Sequence, residues 1–425
     1  MKRTDILSNN ITLISQQLKN THSITLSVNF KTGSLYENNN NSGISHLVEH
    51  MFFRKWDNLN QSELYSQTAS LGAEITGTTF NDYVRFSITV IPEFFAKAFD
   101  IIAKCLNKFS WDEVSVNDEK KVVIKQIQNN YQSYRNWVDS HYFKDTDYER
   151  AIMGTINSVK SLSVKEINDW KDKYFCCDNA CVVITGNYSD SDLKTAQLKL
   201  SQIKNNATKA DMIICYPKNF SNRNASDRYT ILSDDSDYTD VNIFFDISSD
   251  CDYETVRLLS SMLGEGYSSV LSLQLREKSA FTDDVYTDLI SFCGFHRLSV
   301  SFCVDNADFF ECMKLFFKTI SNFKKDISQE NYNSSIEFFT RNQIMDFDNP
   351  KTLNERYALC DFIIESTLSE PIQLKKKYES ISTEDLTATA NKIFDNKNIS
   401  FLIQSKISSG NIENHLEQLI KEVSL

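Results

Sequence analysis

Two histidines and a glutamate stand close together near the beginning of the chain, in the order His46, Glu49, His50. On a helix each residue advances by about 100°, so the three side chains share roughly one third of the circumference. Histidines four residues apart present two ring nitrogens to one metal ion from successive turns. A carboxylate beside them can take a proton from a water molecule. The spacing His-x-x-Glu-His therefore indicates the inverted order of a zinc hydrolase.

The apolar residues of the same stretch favour a helix that packs on one side only. They fall opposite the two histidines and are Ile44, Leu47, Val48, Met51 and Phe52. One face would then pack against a core while the other carries chemistry. The motif alone is also compatible with two surface histidines and a solvated glutamate, so the surrounding sequence has to decide.

A predicted strand with a glycine turn precedes this helix. The residues 28–30 lead into the sequence G-S-L-Y-E at 33–37, and a short polar loop then reaches Gly43. A strand, G-S-x-x-E, a polar loop and G-x-x-H-x-x-E-H-M-x-F in this order resemble the pitrilysin/insulinase family of zinc peptidases, which includes the mitochondrial processing peptidases. In that family a glycine, a leucine, a tyrosine and a V-V-x-G strand follow further along the chain. Here they are matched by Gly154, Leu162, Tyr174 and residues 182–186.

The resemblance implies a zinc site in the first half of the chain. In the family the two histidines of the motif bind zinc and the glutamate between them is the general base, which gives these roles to His46, His50 and Glu49. The family's third ligand is a glutamate on a later helix, in a pattern close to E-x-x-x-V-x-x-E. Here the first glutamate of that pattern is Glu119, but the ligand position is occupied by Gln126.

Three interpretations of this substitution are open. In the first, Gln126 binds zinc through its amide oxygen as a weaker, neutral ligand. In the second, Glu119 replaces it, although it lies two turns away, about 10 Å along the axis, so that the helix would have to slide or tilt. In the third, the site is degenerate or the residue has been engineered. We expect the helical face that carries both residues, together with Val122 and Val123, to point towards the site.

A second departure from the family lies in the C-terminal half. The family has S-S-R-L-x-x-x-L-R-E-K-x-G-L-A-Y, whose later arginine and tyrosine hold the substrate carbonyl. Arg276 matches that arginine, whereas Asp283 stands in place of the tyrosine and Tyr286 comes three residues late. An aspartate donates no hydrogen bond to a developing oxyanion at neutral pH unless it is protonated, so the clamp is expected to be impaired. A surface ion pair of Arg276 with Glu277 or Asp283 is an equally open interpretation.

The stretch Thr76-Gly77-Thr78-Thr79 occupies the place of the family's N-A-x-T edge strand beside the metal. Such an edge binds an extended peptide by adding it to the sheet as a further strand. We therefore expect these four residues to bind substrate. With Thr76 in place of the asparagine, one side-chain contact to the peptide backbone is expected to be lost.

Length and pattern indicate two domains. A chain of 425 residues is too long for one compact core. The polar, irregular stretch 206–228 is predicted to link domains at 1–205 and 229–425. Both halves repeat a similar order of strands and helices, which predicts an α+β fold of two homologous layered domains, each an antiparallel sheet flanked by helices, from an internal duplication. Only the first half contains the histidine motif.

Hydrophobic periodicity and turn residues predict the positions of the main elements. They are strands at 11–15, 23–30, 181–185, 241–247 and 399–404, hairpins at 73–90 and 289–304, and helices at 61–71, 92–109, 116–134, 162–174, 254–263, 307–323, 329–347 and 383–393.

Charge and composition restrict partners and compartment. The net charge of −12, from 57 acidic and 45 basic residues, argues against nucleic acid. No run approaches the ~18 apolar residues of a membrane span, and the N-terminal residues lack the apolar core of a signal peptide. The ten cysteines show no disulfide pattern. We therefore expect a cytoplasmic protein with reduced thiols and no membrane partner.

Two function classes follow from the sequence. The first is a zinc-dependent endopeptidase that cuts small or unfolded peptides inside a chamber formed with a second subunit. The alternative is a catalytically impaired family member that acts as a peptide-binding or assembly subunit. The resemblance also implies a partner, because the shorter family members pair two chains. Having the metal motif without the tyrosine, this chain is predicted to be the metal-bearing subunit of a heterodimer, with a homodimer as the alternative.

Overall fold

The computed structural model describes residues 2–129, 147–204, 228–248, 250–292, 295–365, 368 and 370–423. The chain forms two compact units. The first comprises Met1–Tyr216 and Met345–Leu368, and the second comprises Pro217–Ile344 and Ser369–Leu425.

A six-stranded sheet forms the centre of the first unit. Its strands are β1 Arg3–Ile6, β2 Thr12–Gln17, β3 Ile24–Phe30, β6 Ile75–Thr79, β7 Val84–Val90 and β8 Ala180–Gly186, and a separate short hairpin consists of β4 Lys55–Trp56 and β5 Leu59–Asn60. The order in the sheet is β1-β2-β8-β3-β7-β6. The pair of β2 and β8 is parallel, and the other neighbours are antiparallel. The strand β6 therefore lies at one edge.

Helices cover one face of this sheet. They are α1 Ile44–Arg54, α2 Gln61–Ala69, α3 Phe95–Ile102, α4 Glu113–Gln128, α5 Ile156–Ser161, α6 Val164–Tyr174 and α7 Asp190–Ser201. Leu26, Val28 and Phe30 of β3 share a buried core with Leu47 and Phe52 of α1. The sheet thus supports the helix that carries the histidine motif.

The second unit repeats the plan of the first. Its five strands are β9 Tyr229–Ser233, β10 Tyr238–Ile247, β11 Val285–Phe292, β12 Phe295–Asp305 and β13 Ile399–Ser405. Their order is β11-β12-β10-β13-β9, and the pair of β13 and β9 is parallel. Read from the other edge, this is the order β2-β8-β3-β7-β6 of the first sheet, with the parallel pair in the same place. The predicted duplication of an α+β domain is confirmed by this topology.

Seven further helices complete the described part of the chain. They are α8 Tyr253–Gly264, α9 Phe309–Phe323, α10 Gln329–Asp348, α11 Pro350–Tyr357, α12 Pro371–Glu379, α13 Thr383–Ile393 and α14 Ser409–Glu422. None of the helices in the described ranges is long and apolar enough to cross a membrane.

The second face of the first sheet is covered by a segment from far along the chain. Residues 345–368 belong to the first unit, which differs from the predicted division into 1–205, 206–228 and 229–425. The reason is a small apolar cluster in which Leu353 and Tyr357 of α11 pack on Ile14 and Val183 of the sheet. The boundary between the units at 216–217 falls inside the predicted linker, whose residues 206–227 lie outside the described ranges.

A buried asparagine fixes α11 on the sheet. Asn354 accepts a hydrogen bond from Ser27 Oγ at 2.6 Å and donates to the carbonyl oxygens of Thr25 at 3.0 Å and Val183 at 2.9 Å. The guanidinium of Arg85 also donates to its Oδ1 at 2.9 Å. A fully buried amide is stable because its donors and acceptor have partners.

Most predicted elements are present, with shifts at their ends. The helix predicted at 92–109 is instead α3 between two 3₁₀ turns, at Pro92–Phe94 and Ala103–Leu106. The helix predicted at 116–134 begins earlier, as α4, and its positions beyond 129 lie outside the described ranges. The strand β1 was not predicted, because its residues are mostly exposed and carry no apolar alternation.

Candidate metal centre

The start of α1 depends on a glycine at its N-terminus and on a glutamate that precedes it in the sequence. Gly43 has φ 89°, a left-handed conformation that glycine adopts without steric penalty. The Glu37 carboxylate accepts hydrogen bonds from the backbone N–H of Gly43 at 2.7 Å and of Ser45 at 2.8 Å. Burial raises the pKa of Glu37 to about 7, although these two bonds and Arg150 oppose the shift. Glu37 thereby fixes the turn that places His46.

The two faces of α1 differ as the sequence predicts. The apolar side chains are fully or almost fully buried: Ile44, Leu47, Val48, Met51 and Phe52. On the other face the rings of His46 and His50 have centroids 4.6 Å apart and planes at 68°. Their side chains are 15% and 17% exposed. Both imidazoles therefore reach a partly open site from the same side of the helix.

Gln126 of α4 lies at the same place. Its Oε1 is 3.4 Å from His46 Nε2. That is longer than an ordinary N–H···O hydrogen bond of about 2.9–3.0 Å. Two ligands of a tetrahedral zinc ion with bonds of about 2.0–2.2 Å are about 3.4 Å apart. The hydrogen bond is therefore weak, and the same separation would suit two ligands of one ion.

Glu119 lies two turns earlier on α4 and contacts His50. Its Oε1 accepts from His50 Nδ1 at 2.8 Å, and its Oε2 accepts from Nε of Arg54. Because a carboxylate only accepts, the imidazole proton is on Nδ1 and the lone pair of Nε2 is available. Burial alone would raise the pKa of Glu119, but His50 and Arg54 together lower it. In this geometry Glu119 is better placed to orient His50 than to bind the metal itself.

Glu49 is enclosed between α1 and the edge strand β6. Its Oε2 accepts from Thr79 Oγ1 at 2.8 Å and lies 3.5 Å from His46 Nδ1. Burial would raise the pKa of Glu49, but His46, His50 and Thr79 outweigh it and lower the pKa. Burial likewise opposes the charge on His46, yet the carboxylate of Glu49 and the amide of Gln126 raise the pKa of that imidazole. Glu49 is therefore ionised at neutral pH and able to accept a proton.

The residues of this site fit zinc, with a weak third ligand. Among the residues that the structure describes, no three His, Cys, Asp or Glu side chains are grouped so that they could hold a metal. Within the described ranges, the amide oxygen of Gln126, 3.4 Å from His46 Nε2, is a candidate third donor beside the two histidines. Nδ1 of His46 faces the Glu49 carboxylate at 3.5 Å, which favours the imidazole proton on Nδ1 and leaves Nε2 available to bind. Two imidazole nitrogens and one oxygen match the three-ligand plan of a catalytic zinc.

The predicted substrate strand lies beside the candidate base. β6 pairs with β7 on one side and is the last strand of its sheet. Thr76 and Thr78 are exposed, whereas Thr79 is buried against Glu49. A Cβ added to Gly77 would lie 2.5 Å from Glu49 Oε1 and 2.8 Å from a ring carbon of Phe53. The backbone of β6 thus approaches Glu49 as closely as a glycine allows.

Arg276 lies in the second unit, in the π-helical turn Ser272–Glu277. Its Nη1 donates to Glu277 Oε1 at 2.6 Å, and its guanidinium carbon is 4.4 Å from the ring centre of Tyr267. The ion pair that the sequence left open is therefore present. Tyr286, near the start of β11, is 63% exposed.

Three contacts of the site were not predicted from the sequence. They are the cap from Glu37, the hydroxyl of Thr79 on Glu49, and the pairing of Arg54 with Glu119. For Arg54 a signal exists, since it follows His50 by the same four residues that separate the two histidines and so shares their helical face. The contact of Thr79 joins residues 30 positions apart, and no local pattern predicts it.

Comparison with known proteins identifies the family. The sequence model described as "Insulinase (Peptidase family M16)" matches residues 12–156, and that described as "Peptidase M16 inactive domain" matches residues 161–337. The chain belongs to the insulinase family of peptidases. The resemblance inferred from the motifs is thereby confirmed.

Individual relatives are distant. The mitochondrial-processing peptidase subunit beta of Saccharomyces cerevisiae is 26% identical over 188 residues, which are 43% of this chain and 41% of that subunit. An uncharacterized zinc protease of Rickettsia bellii is 22% identical over 95% of this chain and 98% of its own length. The crystal structure of the periplasmic protease PqqL from Escherichia coli superposes with a TM-score of 0.82 at 15% identity, over 99% of this chain and 50% of that one. At that identity the likeness shows the fold alone.

Proposed function

We propose that this chain is a zinc-dependent endopeptidase that cuts small or unfolded peptides inside a chamber completed by a second subunit. The observation that carries this proposal is the hydrogen bond of Glu49 to Thr79 of the edge strand β6, beside His46 and His50. It puts an ionised carboxylate next to a strand that can hold an extended peptide. The names of the relatives support the same activity, since one is a zinc protease and one a processing-peptidase subunit.

Each residue has a defined part in this reaction. His46, His50 and Gln126 would hold the zinc ion, which supplies a Lewis acid for the carbonyl and for water. Glu49 accepts a proton from the attacking water and passes it to the leaving amine. Thr79 orients that carboxylate, and the β6 backbone of residues 76–79 aligns the peptide beside it.

The test combines zinc content with peptide cleavage. The purified chain, supplied with zinc, is incubated with a mixed peptide library, alone and together with a second family chain, and the products are read by mass spectrometry. We expect Glu49→Gln to retain zinc and to lose cleavage by about 10²–10⁴-fold, the usual effect of a general base. We expect His46→Ala with His50→Ala to lose the metal after dialysis at neutral pH. The matched control is His22→Ala, which removes an exposed histidine of the same unit. Unchanged zinc in the double variant would refute the metal site.

The alternative is a catalytically impaired subunit that binds peptides or assembles with a relative. Two observations favour it: the neutral amide of Gln126 at the ligand position, and Arg276 bound to Glu277. The family model that matches residues 161–337 also carries the description of an inactive domain. Peptide binding without turnover, at saturating zinc and with a second family chain present, would decide for this alternative.

A further inference from the structure

A groove opens on the first unit at the end of α1 that lies beyond His50. We call it the Arg54 groove, and it is lined by Arg54, Gln61, Tyr65, Ser115 and Asp118. It is a shallow depression that is largely open to solvent, so a peptide side chain or a chain end can enter it. Its walls are the first turns of α2 and α4.

Arg54 presents unused donors to this groove. Its Nε donates to Glu119, while Nη1 and Nη2 make no hydrogen bond or ion pair with any residue of the described ranges. The side chain is 31% exposed. A guanidinium offers five N–H donors in a fork that matches a carboxylate with two parallel bonds. Arg54 therefore has capacity for a second anion besides Glu119.

A second charged residue, Asp118, borders the groove and interacts with both Lys121 and Arg54. The carboxylate of Asp118 lies 2.8 Å from Lys121 Nζ. The remaining lining residues named above are neutral and polar, and the Gln61 amide donates to the Tyr65 hydroxyl at 3.3 Å. An entering carboxylate would meet the two Nη groups of Arg54, which remain after its pairing with Glu119.

The groove lies along the expected path of a bound peptide. Thr79 contacts Glu49, and Gly77 lies between Glu49 and Phe53, so moving backwards along β6 leads towards Arg54. Arg54 follows Glu49 by five residues on α1, about 7–8 Å along the helix axis. An extended peptide advances about 3.3 Å per residue, so the groove is about two residues from the bond at Glu49.

We propose that the Arg54 groove is a subsite for a peptide carboxylate, about two residues from the bond that is cut. The carboxylate belongs to an acidic side chain or to the free C-terminus of the peptide, since both present the same group. This proposal rests on the proposed peptidase function, and it adds a preference for acidic or short peptides.

The experiment measures binding, so that it does not depend on turnover. The Glu49→Gln chain is titrated with fluorescein-labelled nine-residue peptides of alanine and leucine. In one arm, a single Asp is moved along an amidated peptide and compared with Asn at each position. In the other, an Asp-free peptide carries a free C-terminus or an amide. With Arg54 present, we expect the carboxylate form of at least one pair to bind about tenfold more tightly, as a charge-assisted bidentate pair does.

Two variants test the assignment in different ways. Arg54→Gln should bring the ratio of the two affinities close to one. Arg54→Gln also removes the partner of Glu119. The ratio of the two affinities is therefore the readout, because a general loosening of the site weakens the binding of both peptides alike. Gln61→Glu adds a negative charge to the groove without touching Arg54 or Glu119, and it should also abolish the preference. The control, Lys97→Gln on α3, removes an exposed cation elsewhere on the same unit and should leave the ratio unchanged.

The outcomes separate this proposal from the proposed function. A preference that disappears in Arg54→Gln and Gln61→Glu supports the subsite, and the arm in which it occurs identifies its source. A ratio near one for every pair, or a preference that survives both variants, overturns it. Cleavage of the library by the unmodified chain is recorded separately. Cleavage without an Arg54-dependent ratio would support the peptidase function and refute the subsite. An Arg54-dependent ratio without cleavage would support the subsite and refute the peptidase function.

Discussion

In the proposed zinc site, Gln126 is the residue whose chemistry would decide how tightly the metal is held. Its amide oxygen stands 3.4 Å from His46 Nε2, at the separation of two ligands of one ion. An amide brings no charge to a divalent cation, so it compensates the desolvation of the ion less well than a carboxylate does.

We therefore predict that Gln126→Glu raises the affinity for zinc by roughly 10- to 100-fold. This is at least the size of the change produced by substituting residues that contact a metal ligand and not the metal itself. Competition against a chromophoric zinc chelator at neutral pH measures the change. The control is Gln128→Glu, the same substitution at an exposed position of α4. Equal affinities in Gln126→Glu and the unchanged chain would mean that this side chain does not contact the metal.

At the scale of the elements, the second prediction is based on the close approach of β6 to α1. The φ of Gly77 is not positive, so a methyl group there causes crowding against Glu49 and Phe53 without backbone strain. We expect Gly77→Ala to displace the carboxylate and to lower cleavage by about 10²-fold, the cost of a shift of about 1 Å at a reacting group. Gly410→Ala, where an added Cβ meets nothing within 4 Å, should retain full activity. Equal peptidase rates in both variants would contradict the assigned position of the base.

The start of α1 gives a prediction about pH. In the folded state burial raises the pKa of Glu37 to about 7 from 4.5, so between these values the folded chain binds a proton that the unfolded chain does not. The free energy of unfolding must then fall as pH rises through this window, by about 3 kcal/mol from this group alone. Glu37→Gln removes the titration but turns an amide N–H₂ towards a backbone N–H, which costs about 1–3 kcal/mol.

Urea unfolding at pH 5 and pH 8 measures the difference. We expect Glu37→Gln to be clearly less stable than the unchanged chain at pH 5 and closer to it, or more stable, at pH 8. Glu93→Gln, at an exposed position, should change both values equally. The same offset at both pH values for Glu37→Gln would show that the carboxyl does not titrate in this window.

Sequence periodicity predicts the individual helices and strands of this fold. It does not predict contacts between segments that are far apart in the sequence. The motif helix and its two faces follow from spacings of three and four residues. The covering of the first sheet by α11 does not follow from such spacings, because its buried polar contact through Asn354 joins Ser27 across 327 positions. A periodic pattern shows that a helix has an apolar face, but it does not show which sheet that face will meet.

At the scale of the whole molecule, two units of the same topology have unequal chemistry. The first holds the histidine motif, and the second holds Arg276 with Glu277 as its partner and Asp283 at the position of the family's tyrosine. Under the proposed function, the first unit would supply the base and the donors for a developing oxyanion would come from another chain. The chain also corresponds to half the length of the PqqL protease with which it superposes.

We therefore predict that the isolated chain is a poor peptidase and that a second family chain, encoded beside it and carrying the arginine and tyrosine, raises its rate. The expected gain in kcat/KM is about 10²–10³-fold, because that is what removal of one oxyanion donor costs. The gain is measured as cleavage of a peptide library by the chain alone, by the partner alone and by the mixture. A mixture that contains Glu49→Gln is the control that shows which chain cuts the peptide. Arg276→Ala in this chain should leave the rate of the mixture unchanged, since the donors would then belong to the partner. Full activity of the chain alone, with no response to a partner, would instead show that one chain contains the complete site.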